Sequence, residues 1–190
     1  SASKNYKHMK TPRITKHEVE VYKIRGLEHG VWADITLDVG EKSGRISIAS
    51  DYGSWQNYWG ACGTSFKKFL FSINIGYAAG KFGCDRDFDL GSSIRDMKSQ
   101  IIHERRCLEL TQNQARSLFN DVQSICNESP SEDGYFHLFS ESDVLADFFD
   151  GYPPCNQKVS NSFVAFWEKV WPHFLNFIKE EEGKLSSIIP

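Results

Sequence analysis

Long apolar runs are absent from this 190-residue chain. No stretch approaches the roughly 20 residues that a membrane-spanning helix needs, so the sequence reads as one that does not enter a bilayer. An excess of positive charge is missing too. The chain sets 22 Lys and Arg against 25 Asp and Glu, a net charge of −3, which leaves no global field to draw nucleic acid. Cysteine lacks a pattern: Cys62, Cys84, Cys107, Cys126 and Cys155 are irregularly spaced, an odd set with no C-x-x-C pair. The N-terminal SASKNYKHMKTPR lacks the hydrophobic core of a secretory signal. The expectation is a cytoplasmic protein with reduced thiols.

Signatures of chemistry are equally lacking. His103 and Cys107 sit four apart and could meet on one helix face, but two ligands fall short of the four donors of a structural zinc site. Asp85, Asp87 and Asp89 alternate as calcium ligands do, yet Gly91 arrives one position late and no Glu closes the loop, so the segment reads as solvated and acidic. Gly60-Ala61-Cys62-Gly63-Thr64 precedes a helix without the Gly-Lys-Ser/Thr of a phosphate loop or the spacing of a dinucleotide fingerprint. Neither a cofactor nor a metal is expected, and a non-enzymatic role is favoured over catalysis.

What the chain does have is aromatic mass: 14 Phe, 7 Tyr and 5 Trp in an apolar fraction of 40%, enough for a real core. Residues 1–14 read as a flexible lead-in and 15–190 as a single α+β domain, with 135–190 as a possible helical subdomain. Alternation over His17–Ile24, Val31–Val39, Arg45–Ser50 and Trp55–Cys62, with short connections, gives an antiparallel meander of about three to five strands covered on one face by C-terminal helices. Val31, Ala33, Ile35, Leu37 and Val39 share the face expected to be buried.

After Thr64 the period changes. Phe66, Phe69, Leu70 and Ile73 form a helical stripe, while Gly76–Gly83 is short and glycine-bounded. Ile94, Met97 and Ile101 mark a second helix, capped by Ser92 or Ser93. Thr111 and Gln114 form a capping box ahead of Ala115, Leu118, Phe119 and Val122. Asn127–Gly134 reads as a loop and Asp143–Phe149 as a short helix. Val159–Glu182 reads as a long helix broken near Pro172, with Glu180, Glu181 and Glu182 solvated at its end.

The densest stretch is Ile46–Gly60, ISIASDYGSWQNYWG. An apolar strand runs into Asp51-Tyr52-Gly53, where glycine supplies a positive φ, and then into Trp55, Tyr58 and Trp59. Aromatics dominate the energetics of cores and interfaces alike. Asp51, Tyr52, Trp55, Tyr58 and Trp59 are therefore the candidate binding residues, with Trp55 and Trp59 favoured as core and Tyr52 and Tyr58 leaning toward recognition. The alternative is an enzyme or a small-molecule or nucleotide-binding protein with a site near Asp51, Tyr52 and Cys62, assembled from scattered residues that could include His103.

WADITLDV, ISIASDYGSWQNYWG and SFKKFLFSINIGYAAGKFG together resemble a group of small, uncharacterised accessory proteins of tailed phages and prophages. The shared pattern is an Asp-containing strand, Ser-Asp-(Tyr/Phe)-Gly with Trp and Tyr-Trp-Gly, then a Phe-rich helix. Here it is carried by Trp32, Asp34, Ser50, Asp51, Tyr52, Gly53, Tyr58, Trp59, Gly60 and Phe69, over roughly residues 15–125. No site residues carry over. The resemblance implies a phage accessory protein in the cytoplasm of a bacterial host. Its expected partner is a bacterial or phage protein, such as a host or defence protein that it modulates, with no membrane and no nucleic acid involved. Thiol titration of the denatured protein should count five free groups. Fewer than four, or stoichiometric zinc in the purified protein, would overturn the reduced, metal-free reading.

Overall fold

Alternating residues in the first third of the chain form four strands, β1 (Glu20–Ile24), β2 (Ala33–Val39), β3 (Gly44–Ser50) and β4 (Gly53–Trp59), paired antiparallel in the order β1-β2-β3-β4. The structure is a computed structural model that describes residues 13–188, with side chains described up to Lys184. Of the expected lead-in, residues 1–12 lie outside the described residues. The meander followed by helices is the α+β arrangement read from the sequence.

Register decides which face is buried. Ile35 lies between Tyr22 and Ile48, and Ile48 pairs with Trp55, so these side chains share one surface. Ala33, Ile35, Leu37, Ile46 and Ile48 on it are buried. Val31 and Val39, expected to join them, do not: Val31 precedes the strand and is half-buried, and Val39 ends it at the hairpin and is 43% exposed.

The chain divides into two compact units, one of residues up to Ile73 together with Val170 onward, the other Asn74–Lys169. Residue 135, where a helical subdomain was expected to begin, sits inside a helix of the second unit and its tyrosine is fully buried. In the first unit, α1 (Phe66–Ser72) and α8 (Trp171–Ile188) pack together. Phe66 and Leu70 of α1 and Phe174 and Ile178 of α8 are buried. Trp59 at the end of β4 meets the rings of Phe66 and Phe69 at 6.0 and 5.4 Å.

Phe66 packs directly on Gly44. A Cβ at Gly44 would stand 2.2 Å from Phe66 Cδ1, so only a bare Cα lets the helix seat on the sheet. Pro172 lies in the first turn of α8, where its missing N–H breaks no bond; the interruption expected at Trp171–His173 falls instead at Val170, after α7 (Asn161–Lys169). Since α8 runs on to Ile188, Glu180–Glu182 are interior rather than terminal.

The second unit holds α2 (Ile75–Phe82), β5 (Arg86–Phe88), α3 (Leu90–Arg106), α4 (Gln112–Glu128), α5 (Glu132–Ser140), α6 (Asp143–Phe148), β6 (Gln157–Val159) and α7. The glycine-bounded 76–83 segment is thus helical, capped by Asn74 at one end and Gly83 at the other. The acidic 85–89 segment is not a loose loop either. Arg86–Phe88 pairs with β6, Asp87 accepts from Asn161 N at 2.7 Å, and Asp89, not Ser92 or Ser93, caps α3 by accepting from Ser92 N. The Thr111–Gln114 capping box forms as read. Met97, Val122, Tyr135 and Phe139 centre the core, where the Tyr135 hydroxyl donates to Pro154 O at 2.7 Å.

Gly44→Ala should lower stability by about 1–3 kcal/mol, the range of overpacked core changes. Combined with Phe66→Leu it should be strongly non-additive, because both changes act on one contact. Additive losses in the two single variants would show that the contact does not hold helix to sheet.

Candidate functional site

The Asp51-Tyr52 turn is held by its own backbone and side chains. Ser50 Oγ donates to Gly53 O at 2.9 Å and accepts from Tyr52 N at 3.2 Å. The Asp51 carboxylate accepts from Trp32 N at 3.0 Å, while Asp51 N donates to Trp32 O at 3.3 Å. Asp51 thus clamps the β3–β4 hairpin to the entry of β2. Gly53 takes φ +146°, and a Cβ there would meet the Trp55 ring at 2.8 Å, which explains the glycine twice over.

The candidate residues do not share one surface. Trp55 (half-buried) and Trp59 (buried) project with Asn57 to the inner face, whereas Tyr58 projects to the outer face, 58% exposed. The Arg45 guanidinium lies 5.9 Å from the Tyr58 ring centre. Tyr52 stays half-buried on the turn. Cys62 lies beyond the far end of β4, about 20 Å from Asp51 at strand rise. There its N–H bonds Lys42 O, and burial raises its thiol pKa, away from the reactive thiolate. His103 belongs to the other unit, with Nε2 at 3.7 Å from Cys107 Sγ. Among the described residues no three His, Cys, Asp or Glu side chains gather as a metal site.

A deep cleft lies elsewhere. It encloses about 1000 Å³ within the first unit and runs along β1, from Glu20 to Arg25, with His173, Phe174, Phe177, Glu181 and Lys184 of α8 opposite and Lys67 of α1 beside them. Tyr22 meets Phe174 and Phe177 edge-on at 5.3 and 5.8 Å. Its hydroxyl donates to the Glu20 carboxylate and lies 3.2 Å from Glu181 Oε2. Lys67, only 16% exposed, sits 2.7 Å from Glu20 and 4.0 Å from Glu181.

Each group's pKa is driven further from neutral pH, which holds Glu20 and Lys67 charged and Tyr22 uncharged. Burial works against the Glu20 charge, but bonds from Lys67 and Tyr22 outweigh it and hold the carboxyl below its ordinary range. Burial, then the bond to Glu20, pushes Tyr22 up to about 12. Lys67 loses by burial and gains more from Glu20 and Tyr22, ending above its ordinary value. The result is a fixed set of charges rather than a proton-exchanging pair.

A smaller hollow of about 400 Å³ in the second unit is lined by Ile101, Ile102 and Phe119, with Arg105, Arg106 and Arg116 around them. It gathers positive charge that the chain's net balance conceals.

Sequence reasoning missed Glu20, Tyr22, Lys67 and Glu181. Two signals pointed to three of them, though none to Lys67: Glu20 and Tyr22 share the inward parity of Ile24 in β1, and Glu181 stands three residues after Ile178 on the buried stripe of α8.

A family model described as a phage family, Phage_phiTE_072, matches residues 12–180, well beyond the 15–125 stretch of the motif resemblance. Nothing among curated proteins or solved structures matches the chain.

The charge network sets a two-sided pH dependence. Glu20 has a folded pKa below its ordinary 4.5, so its contribution is present above that pH and is lost as the pH falls through the folded value. Tyr22 has a folded pKa raised from 10.0 to about 12, so its contribution holds below pH 10 and is lost as the pH rises toward 12. Glu20→Gln should flatten the acid limb of a melting-temperature profile and Tyr22→Phe the alkaline limb. Limbs unchanged by both variants would rule the network out.

Proposed function

We propose that this chain, which belongs to that phage family, is an accessory protein that works by binding a host or defence protein and modulating it, without catalysis. The observation that carries this reading is the cleft beside β1. It offers exposed apolar surface at Val21 and Phe177, both 53% exposed, bordered by Glu20, Tyr22 and Lys67, which keep one ionisation state through neutral pH. Exposed aromatics with fixed charges around them suit recognition. General acid–base chemistry needs a group poised near the working pH, and Glu20, Tyr22 and Lys67 are all displaced from it. Among the described residues no helix is long and apolar enough to cross a membrane.

The test is affinity capture from a phage-infected bacterial lysate with the intact protein and two variants, alongside melting of the same samples. Phe177→Ser should lose the captured partner while costing less than about 1 kcal/mol, as surface changes do. Tyr58→Ala, on the outer face, should retain it. Loss of capture in Tyr58→Ala alone would move the surface to the turn region. Capture that fails with the intact protein, or that vanishes only as melting collapses, would defeat the reading.

A further inference from the structure

We propose that the groove between α3 and α4 is an interaction surface for an acidic amphipathic helix of a protein partner. The inference goes beyond the β1 cleft and does not rest on it, since every residue it uses lies in the second unit. α3 and α4 pack together, and the end of α3 and the start of α4 enclose the hollow of about 400 Å³. Its floor is apolar: Ile101 is buried, while Ile102 and Phe119 are 43% and 36% exposed. Arg105 and Arg106 line it from α3 and Arg116 from α4, and no carboxylate is among the lining residues.

These three guanidinium groups have no partner within the described residues. None makes a hydrogen bond, an ion pair or a ring contact there. Other cations are engaged: Arg25 with Asp34 at 2.6 Å, Lys67 with Glu20 at 2.7 Å, Lys98 with Gln123 at 2.7 Å. Arg105 and Arg106 stand in the last turn of α3, where the helix dipole favours a cation. Arg116 stands in the second turn of α4, near the positive end, and gains nothing from it. Like charges around one hollow repel, and anions set between them remove that repulsion. Forked, weakly hydrated guanidinium groups suit paired carboxylates at an interface.

The apolar floor decides among anions. A phosphate backbone gains nothing from Ile101 and Ile102, and Lys98 Nζ lies over the Phe119 ring at 4.8 Å, where a base would stack. An anionic lipid surface calls for an apolar projection, and here the apolar surface is a hollow. An amphipathic helix brings what fits: an apolar stripe for the floor, with Asp and Glu on either flank for the two arginine-bearing walls.

The probe is a displayed library of helical peptides with a fixed leucine stripe and randomised flanks, selected on the full chain. Asp and Glu should be enriched on both flanks. Against Arg105→Glu with Arg116→Glu, Lys and Arg should be enriched instead, an exchange that a change in stability alone does not produce. Ile102→Ser, at an exposed position, should weaken the selected peptides by at least about tenfold with the melting temperature held. Should the double reversal not fold, Arg116→Gln, which removes one exposed charge, should give the same loss of acidic preference in smaller degree. Phe177→Ser should leave selection unchanged, so failure here and failure at the β1 cleft are told apart. The proposal is overturned if no peptide is enriched, if flank preference ignores the arginine substitutions, or if scrambled peptides of equal charge bind as well. Tighter binding of a DNA oligonucleotide or of phosphatidylglycerol vesicles, lost in the arginine variants, would overturn it too.

Discussion

The ring of Phe66 rests on the bare Cα of Gly44, and the inner layer of the first unit builds outward from that contact. Gly44 pairs with Trp59 across β3 and β4, and the Trp59 ring turns onto Phe66 and Phe69, so one helix face and two strands close on the same point. Seating Phe66 also decides where its neighbour goes. Glu20 registers with Leu37 and Leu37 with Ile46, two residues from Gly44, so the edge strand presents its carboxylate at the end of the sheet where α1 begins. Lys67 then needs only to reach along that edge. A packing constraint in the core thereby sets the electrostatics of the cleft.

Lys67, Glu20 and Glu181 come from three elements far apart in sequence: α1, β1 and α8. A mostly buried ammonium is tolerated only when anions meet it, and here two do. Such an arrangement adds little net stability beyond what an apolar trio would give, but it penalises any other placement of the three elements. Tyr22 completes it by putting an apolar ring against α8 and a hydroxyl among the carboxylates, with Lys67 Nζ 5.8 Å from the ring centre.

Strand order, the polarity of the sheet faces and the Thr111 capping box were legible because each rests on short-range periodicity. The ends of elements were less so. Val39 alternates correctly but falls at a hairpin end, and Pro172 reads as an interior breaker until the helix start at Trp171 makes it harmless. Asp87 and Asp89 looked solvated because their partners, Asn161 N and the N-terminus of α3, are set by tertiary pairing and capping. The candidate residues around Asp51 show the same limit. Alternation sorts Trp55 from Tyr58, yet nothing local says that the Asp51 carboxylate would be consumed by Trp32. The cleft was invisible for a related reason. It needs β1 and α8, some 150 residues apart on the chain, to face one another, and no sequence window spans that distance.

The first unit is interrupted: it leaves off at Ile73 and resumes at Val170. During synthesis at about 5–20 residues per second, roughly a hundred intervening residues separate the emergence of the meander from that of α8, a delay of some 5–20 s. Through that interval the inner face of the sheet has α1 but not Phe174 or Ile178 to cover it, and by its end the whole of Asn74–Lys169 has been made and can fold before α8 is complete. Apolar strands left open for seconds are a target for chaperones and for wrong pairing. The order of translation thus makes the helical insert the early folder, and the sheet, together with its edge, the last part of the molecule to mature.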